Sequence, residues 1–109
     1  MDHRVGFWDP DQPSNYVDVD GTWPERDRQL VISYLRHPGF RREVYKGDSH
    51  CRMGCWGGKM NAAMGSADCS DGTWTWPEGY AHYLEKHRVK PPVEFIKHVA
   101  RRLSVALRR

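Results

Sequence analysis

The tripeptide Trp-Pro-Glu occurs twice in this chain of 109 residues, at 23–25 and again at 76–78. Each copy follows an Asp-Gly turn signal and precedes a segment with helical spacing of apolar residues. Proline in the first turn of a helix is preorganised, and a following glutamate suits the positive end of the helix dipole. Both copies therefore predict the same local structure: a turn, a tryptophan that packs over the first turn of a helix, and then the helix.

The two predicted helix starts and the spacing of apolar residues along the chain predict one α+β domain over residues 23–109. An irregular arm over residues 1–22 precedes it. The domain is expected to combine three helices with a small antiparallel sheet that includes a hairpin. The expected elements are a helix over 23–37, a strand near 40–47, a hairpin with its turn at Asp71-Gly72, a helix over 77–87, and a helix from Pro92 onward. The apolar stripe predicted for the last helix comprises Val93, Ile96, Val99, Ala100, Leu103 and Leu107.

The sequence contains no apolar run near the roughly 20 residues that a membrane span needs. Its acidic, proline-interrupted start, "MDHRVGFWDPDQ", is also unlike the basic and then apolar pattern of a signal peptide. We therefore expect a cytoplasmic protein with no membrane partner. In a reducing compartment, the three cysteines favour metal binding or free thiols over disulfides.

Two cysteines and two histidines have the spacing of a zinc site. Cys51 and Cys55 lie on a glycine-containing loop, and His82 and His87 lie in the second helix and at its end. Zinc in structural sites takes four such ligands in a tetrahedron, often as two short-range pairs. This pattern predicts one structural zinc ion that is coordinated by both the loop and the helix and so links them. Cys69 and His50 are spare ligands.

The same residues also allow an interpretation without metal. His82 would then be a buried histidine bonded to the backbone, His87 a cation at a helix C-terminus, and the cysteines small apolar groups. Thiol chemistry is a third alternative, although a nucleophilic cysteine needs a paired base that sequence alone does not reveal. Because no phosphate-binding glycine loop or serine-hydrolase elbow is present, binding is a better prediction than catalysis.

Basic residues are concentrated at the C-terminal end. Residues 86–109 carry eight Lys or Arg side chains against Glu94 alone. On the last helix several of these follow one another at helical spacing, opposite the apolar stripe. Such a face suits an acidic protein or the phosphates of a nucleic acid, and it is equally typical of a solvated surface. The predicted partner-binding residues are Lys97, Arg101, Arg102, Arg108 and Arg109.

The segment from about residue 45 to residue 98 resembles a group of small bacterial proteins of unknown function. The shared features are a Cys-Arg segment, an Asp-Gly turn, "WPEG", a His-Tyr pair and a second histidine before a proline. The resemblance implies no specific activity, but it implies that these residues form one recurring unit. Its members here are Trp76, Pro77, Glu78, Gly79, His82, Tyr83 and His87, with Trp74 beside them.

These observations predict a small interaction module, such as an inhibitor, immunity or adaptor protein, that acts through a macromolecular partner. The partner expected first is another protein. The alternative is a nucleic-acid-binding accessory protein that uses the basic C-terminal helix.

Overall fold

The computed structural model describes residues 3–7, 16–17, 21–44 and 67–107 of the chain. Within these ranges the chain forms three helices and six short strands, so the α+β class predicted from the sequence is confirmed. In chain order they are β1 (His3–Arg4), β2 (Tyr16–Val17), α1 (Glu25–Leu35), β3 (Arg41–Val44), β4 (Ala67–Ser70), β5 (Trp74–Pro77), α2 (Tyr80–Lys86), β6 (Val89–Lys90) and α3 (Val93–Leu103).

The main sheet has four strands in the order β1-β5-β4-β3. The antiparallel hairpin predicted around Asp71-Gly72 is present as β4 and β5, and β3 adds to β4 in antiparallel fashion. β1, however, pairs with β5 in parallel, so the sheet is mixed rather than purely antiparallel. The backbone N–H groups of His3 and Val5 donate to the carbonyls of Thr73 and Thr75 at 2.8 and 3.0 Å. A strand of two residues has no alternating pattern by which sequence could reveal it.

Strands are also present within the segment expected to be an irregular arm. In addition to β1, the backbone of β2 pairs with β6 in a separate antiparallel ladder of two strands. Val5 is fully buried. The N-terminal residues that the structure describes are therefore attached to the body of the fold by backbone hydrogen bonds and by packing.

The two Trp-Pro-Glu copies have different structures. The first behaves as predicted, because α1 begins directly after Pro24. In the second copy, Trp76 and Pro77 belong to β5, where they oppose Cys69 and Asp68. The Glu78 N–H also donates across the hairpin to the Ala67 carbonyl at 2.8 Å. Because these residues pair with β4, helix α2 starts three residues later than predicted, at Tyr80.

The last helix is shorter than predicted. α3 ends at Leu103 because Ser104 adopts the left-handed conformation, with φ of 55°. The Val105 N–H then donates to the Ala100 carbonyl at 3.1 Å, which is the 6→1 bond of a Schellman cap. The chain after the helix is held against α1 by Arg26 Nη2, which donates to the Ala106 carbonyl at 2.9 Å.

The core lies where α1, α2 and α3 pack against the sheet, and large aromatic side chains occupy much of it. Trp23 and Trp76 are both buried, as predicted. On α3 the buried face is turned from the predicted stripe: Phe95, absent from that stripe, is fully buried, whereas Val93 is exposed. The fully buried side chains of largest volume are Trp76, Tyr80, Phe95, Leu84, Ile96, Val5, Val31, Val89, Val99 and Pro91.

None of the helices in the described ranges has the length and apolar character needed to cross a membrane.

Candidate functional site: a basic cleft and a histidine pair

A surface cleft of about 520 Å³ lies where the end of α1, strand β3, the β4–β5 turn and helix α3 meet. Its two arginines, Arg41 and Arg102, come from different elements and are remote from one another in sequence. Its lining residues are His37, Gly39, Phe40, Arg41, Ser70, Asp71, Gly72 and Arg102.

Asp71 anchors the inner wall of this cleft. Its Oδ1 accepts hydrogen bonds from the backbone N–H groups of Thr73 and Trp74 at 2.9 and 2.8 Å. Its Oδ2 accepts a hydrogen bond from the Tyr34 hydroxyl at 2.5 Å and lies 2.6 Å from Nε2 of His98. The side chain is 0% exposed. One carboxylate thus joins the hairpin turn to α1 and α3.

The protonation of this network follows from its contacts. Burial alone raises the pKa of Asp71, but the hydrogen bonds from Trp74, Tyr34, Thr73 and His98 outweigh burial and hold the pKa below its usual range. Burial and the neighbouring carboxylate raise the pKa of the Tyr34 hydroxyl well above its usual value. Asp71 is therefore ionised and Tyr34 keeps its proton. Since an ionised carboxylate only accepts, the proton of the third bond lies on His98 Nε2.

The exposed side chains that the cleft offers to a ligand are mainly basic. Both oxygens of Asp71 are engaged within the protein, whereas the Arg41 side chain is 80% exposed. Arg102 is exposed and also contacts the Tyr34 hydroxyl. His37 is exposed at the other side of the cleft. The cleft is therefore suited to carboxylate or phosphate groups.

Neighbouring arginines carry less free charge than the sequence suggests. Arg42 forms a two-pronged ion pair with Glu78, in which Nη2 lies 3.1 Å from Oε1. Arg36 pairs with Glu85 at 2.9 Å. Arg41 lies 3.8 Å from Glu43, but both side chains are largely exposed, so this pair is weak and Arg41 and Arg102 are the principal cations of the cleft.

The predicted basic face of the last helix is divided between two surfaces. Arg102 lines the cleft, whereas Lys97 and Arg101 line a separate concavity of about 630 Å³ beside the end of α3. Arg101 is exposed and Lys97 is half-buried. Arg108 and Arg109 lie outside the described residues.

His82 and His87 are brought together at the end of α2. On a continuous helix, residues five apart diverge by about 140°. Here α2 ends at Lys86, and His87 leaves the helix with φ of −123° and ψ of 6°. The ring centroids of His82 and His87 consequently lie 5.1 Å apart, with 65° between their planes. Burial, and then the neighbouring His87, lower the pKa of His82.

The cysteine half of the predicted zinc site falls on other parts of the chain. Cys51, Cys55 and the spare ligand His50 lie outside the described residues. Cys69 is half-buried on β4 opposite Trp76, and burial raises the pKa of its thiol, with the carboxylate of Glu78 adding to the effect. In the described ranges, no three His, Cys, Asp or Glu side chains are grouped so that they would bind a metal ion.

The residues of the "WPEG" unit have mainly structural positions. Trp76 is fully buried, and Gly79 directly precedes α2. Trp74 is half-buried and packs edge-on against Phe95, with ring centroids 5.2 Å apart. Glu78 and Pro77 continue the hairpin, as described above. Tyr83 lies beside the histidine pair, 5.8 Å from His82 and 6.0 Å from His87 between ring centroids.

Sequence reasoning missed the cleft. His37 and Arg41 lie at a helix end and in a short strand, and neither belongs to a motif. Asp71 was recognised as a turn residue, but its partners Tyr34 and His98 are 37 and 27 residues away. One local signal was present: His98 stands among basic residues yet on the buried side of an amphipathic helix.

Comparisons with protein-family models, with curated proteins and with solved structures found no match. The resemblance to small bacterial proteins stays a prediction.

Proposed function

We propose that this protein is an interaction module that binds an acidic, extended segment of another protein in the cleft between Arg41 and Arg102. The observation that supports the proposal most is the convergence of two arginines from separate elements, Arg41 on β3 and Arg102 on α3, on one open cleft. The only carboxylate that lines the cleft, within the described residues, is Asp71, and its hydrogen bonds are made inside the protein. A ligand with carboxylates would meet guanidinium groups, which bind them in bidentate fashion.

The strand beside the cleft favours a protein segment over a nucleic acid. In the described part of the chain, β3 is an edge strand that pairs with β4 only. All four of its residues are exposed, including Val44 at 63%. An edge of this kind offers backbone N–H and C=O groups to a peptide that adds as a further strand, while side-chain contacts give specificity. Arg41, at the start of β3, belongs to both the edge and the cleft.

The distribution of charge also argues against a phosphate-tracking surface. Nucleic-acid affinity increases with the number of phosphates that free Lys and Arg side chains neutralise. Arg36 and Arg42 are paired with glutamates, and Glu43 on β3 is itself 78% exposed. Few cations with an interspersed carboxylate suit a short acidic peptide better than a continuous sugar-phosphate backbone.

The proposal is tested by selecting linear peptides from a displayed library on the full chain and measuring their affinities by calorimetry. We expect enrichment of peptides with two or more acidic residues. The double variant Arg41→Gln/Arg102→Gln should weaken their binding by at least about tenfold, with the loss largest at low salt. The control double variant Lys86→Gln/Arg101→Gln removes the same charge from outside the cleft and should leave affinity nearly unchanged.

Three outcomes would contradict the proposal. The selected peptides could lack acidic residues, or the control variant could weaken binding as much as the cleft variant does. A DNA or RNA oligonucleotide could also bind more tightly than any selected peptide and lose affinity in the cleft variant. The last result would favour the nucleic-acid alternative.

A further inference from the structure

The histidine pair at the end of α2 has the separation of two ligands on one metal ion. Imidazole nitrogens bind tetrahedral zinc at about 2.0–2.1 Å, which places the centres of two such rings about 5 Å apart. The observed separation of the His82 and His87 rings is 5.1 Å. The end of α2 at Lys86 produces this separation, since a helix continued through residue 87 would carry the two rings to different sides.

The surroundings of the pair suit a cation that is partly withdrawn from water. His82 is 3% exposed, and His87 is half-buried at the helix end. The Tyr83 ring flanks both imidazoles, as given above. Glu85 lies close enough for its charge to act on His82, and it offsets the positive charges of Lys86 and Arg36, its ion-pair partners. A bound divalent ion would therefore have a carboxylate near it.

We propose that His82 and His87 are two ligands of one zinc-class ion. The remaining coordination positions are open to water. This site is independent of the proposed cleft, because it uses different elements and no residue that lines the cleft.

The test is a titration of the metal-depleted full chain with Zn²⁺ by calorimetry, and with Co²⁺ by visible absorption. We expect binding of about one ion per chain, and the absorption bands of tetrahedral Co²⁺. The variants His82→Gln and His87→Gln should each weaken Zn²⁺ binding by at least about tenfold. His3→Gln, which removes an exposed histidine on β1, is the control and should bind Zn²⁺ as the unchanged chain does.

Because His82 is buried, its variant also requires a circular-dichroism spectrum as a check on folding. The half-buried His87 provides a variant that perturbs the core less. A direct readout in the unchanged chain is the movement of the His82 and His87 ring-nitrogen resonances on addition of Zn²⁺. The proposal is overturned if the chain does not bind Zn²⁺, if a folded His87→Gln variant binds it with unchanged affinity, or if these resonances stay in place. Failure here would leave the peptide affinity of the cleft untouched, so the two proposals fail separately.

Discussion

Nε2 of His98 lies 2.6 Å from Oδ2 of Asp71, and this contact joins the middle of α3 to the turn between β4 and β5. The same oxygen accepts the hydrogen bond from Tyr34, near the end of α1. Three of the elements that line the basic cleft are therefore positioned by one buried carboxylate. Arg102, four residues after His98 on α3, is held by the same arrangement one turn further along the helix.

The first prediction concerns the stability that Asp71 provides. Asp71→Ala removes an ionised acceptor and leaves Tyr34, His98 and two backbone N–H groups without it. We expect the free energy of unfolding to fall by about 3–5 kcal/mol, because several buried donors lose their acceptor at about 1–3 kcal/mol each. Urea denaturation measures the change. Asp68→Ala, three residues earlier on β4, should cost about 1 kcal/mol or less. Equal losses in the two variants would contradict the proposed anchoring role.

The second prediction concerns pH. Since the pKa of Asp71 is lowered in the folded chain, its contribution is fully present above the unfolded carboxyl pKa of about 3.9. That contribution is lost as pH falls through the lower, folded-state pKa. The stability difference between the unchanged chain and Asp71→Ala should therefore be constant above about pH 5 and shrink below about pH 3.9. Urea denaturation at a series of pH values tests this.

Asp68 provides the control of opposite sign. Burial raises its pKa, so the stability linked to its protonation is present at low pH and is lost as pH rises through the folded-state value. The contribution of Asp68 to the free energy of unfolding decreases with rising pH, whereas that of Asp71 increases. Asp68→Asn should therefore remove a pH dependence opposite in sign to the one that Asp71→Ala removes. Slopes of the same sign in both comparisons would be inconsistent with the hydrogen bonding described for Asp71.

The features that sequence predicted well are those specified by neighbouring residues. Helix α1 and the hairpin around Asp71-Gly72 both depend on signals within a few residues, such as a proline or a glycine. What sequence missed depends on partners that are remote in the chain. The parallel pairing of β1 with β5 and the contacts of Asp71 with Tyr34 and His98 are of this kind.

The second Trp-Pro-Glu copy shows how tertiary structure can override a local signal. Its proline and glutamate match a helix start as well as the first copy does. Strand β4 lies beside this copy, however, and backbone pairing there satisfies the groups that a helix would otherwise use. The local pattern was therefore right about a turn followed by a buried tryptophan, and wrong about where the helix begins.

A third prediction concerns that tryptophan. Trp76 is 0% exposed and packs against Phe40 and Phe95, with ring centroids 5.5 and 6.0 Å away. Trp76→Ala should lower the free energy of unfolding by about 3–5 kcal/mol, because it opens a large cavity in the core. Trp74→Ala, on the same strand but half-buried, should cost clearly less. Urea denaturation of both variants gives the comparison, and a larger loss at Trp74 would contradict the assigned core.

The last prediction concerns the attachment of the N-terminal strand. Gly6 has φ of +83°, and a Cβ atom there would lie 2.6 Å from Cδ1 and Cγ of Tyr80. Tyr80 is fully buried, so its ring has little freedom to move away. Gly72 has a similar φ of +94°, but a Cβ atom there would meet nothing within 4 Å. The two glycines therefore share the backbone requirement and differ in the space around them.

Gly72→Ala should cost only the strain of a left-handed backbone, about 1–2 kcal/mol. Gly6→Ala should cost that amount and a further loss of about 1–3 kcal/mol, because the added methyl group overpacks against Tyr80. Urea denaturation of the two variants isolates the steric part, and amide hydrogen exchange at Val5 shows whether β1 has detached from β5. If both variants lose the same stability and Val5 stays protected, Tyr80 does not hold the N-terminal strand in place. If Gly6→Ala loses more stability and the Val5 amide exchanges faster, the close packing of Gly6 against Tyr80 does hold the strand in place. The added methyl group would then have displaced the strand.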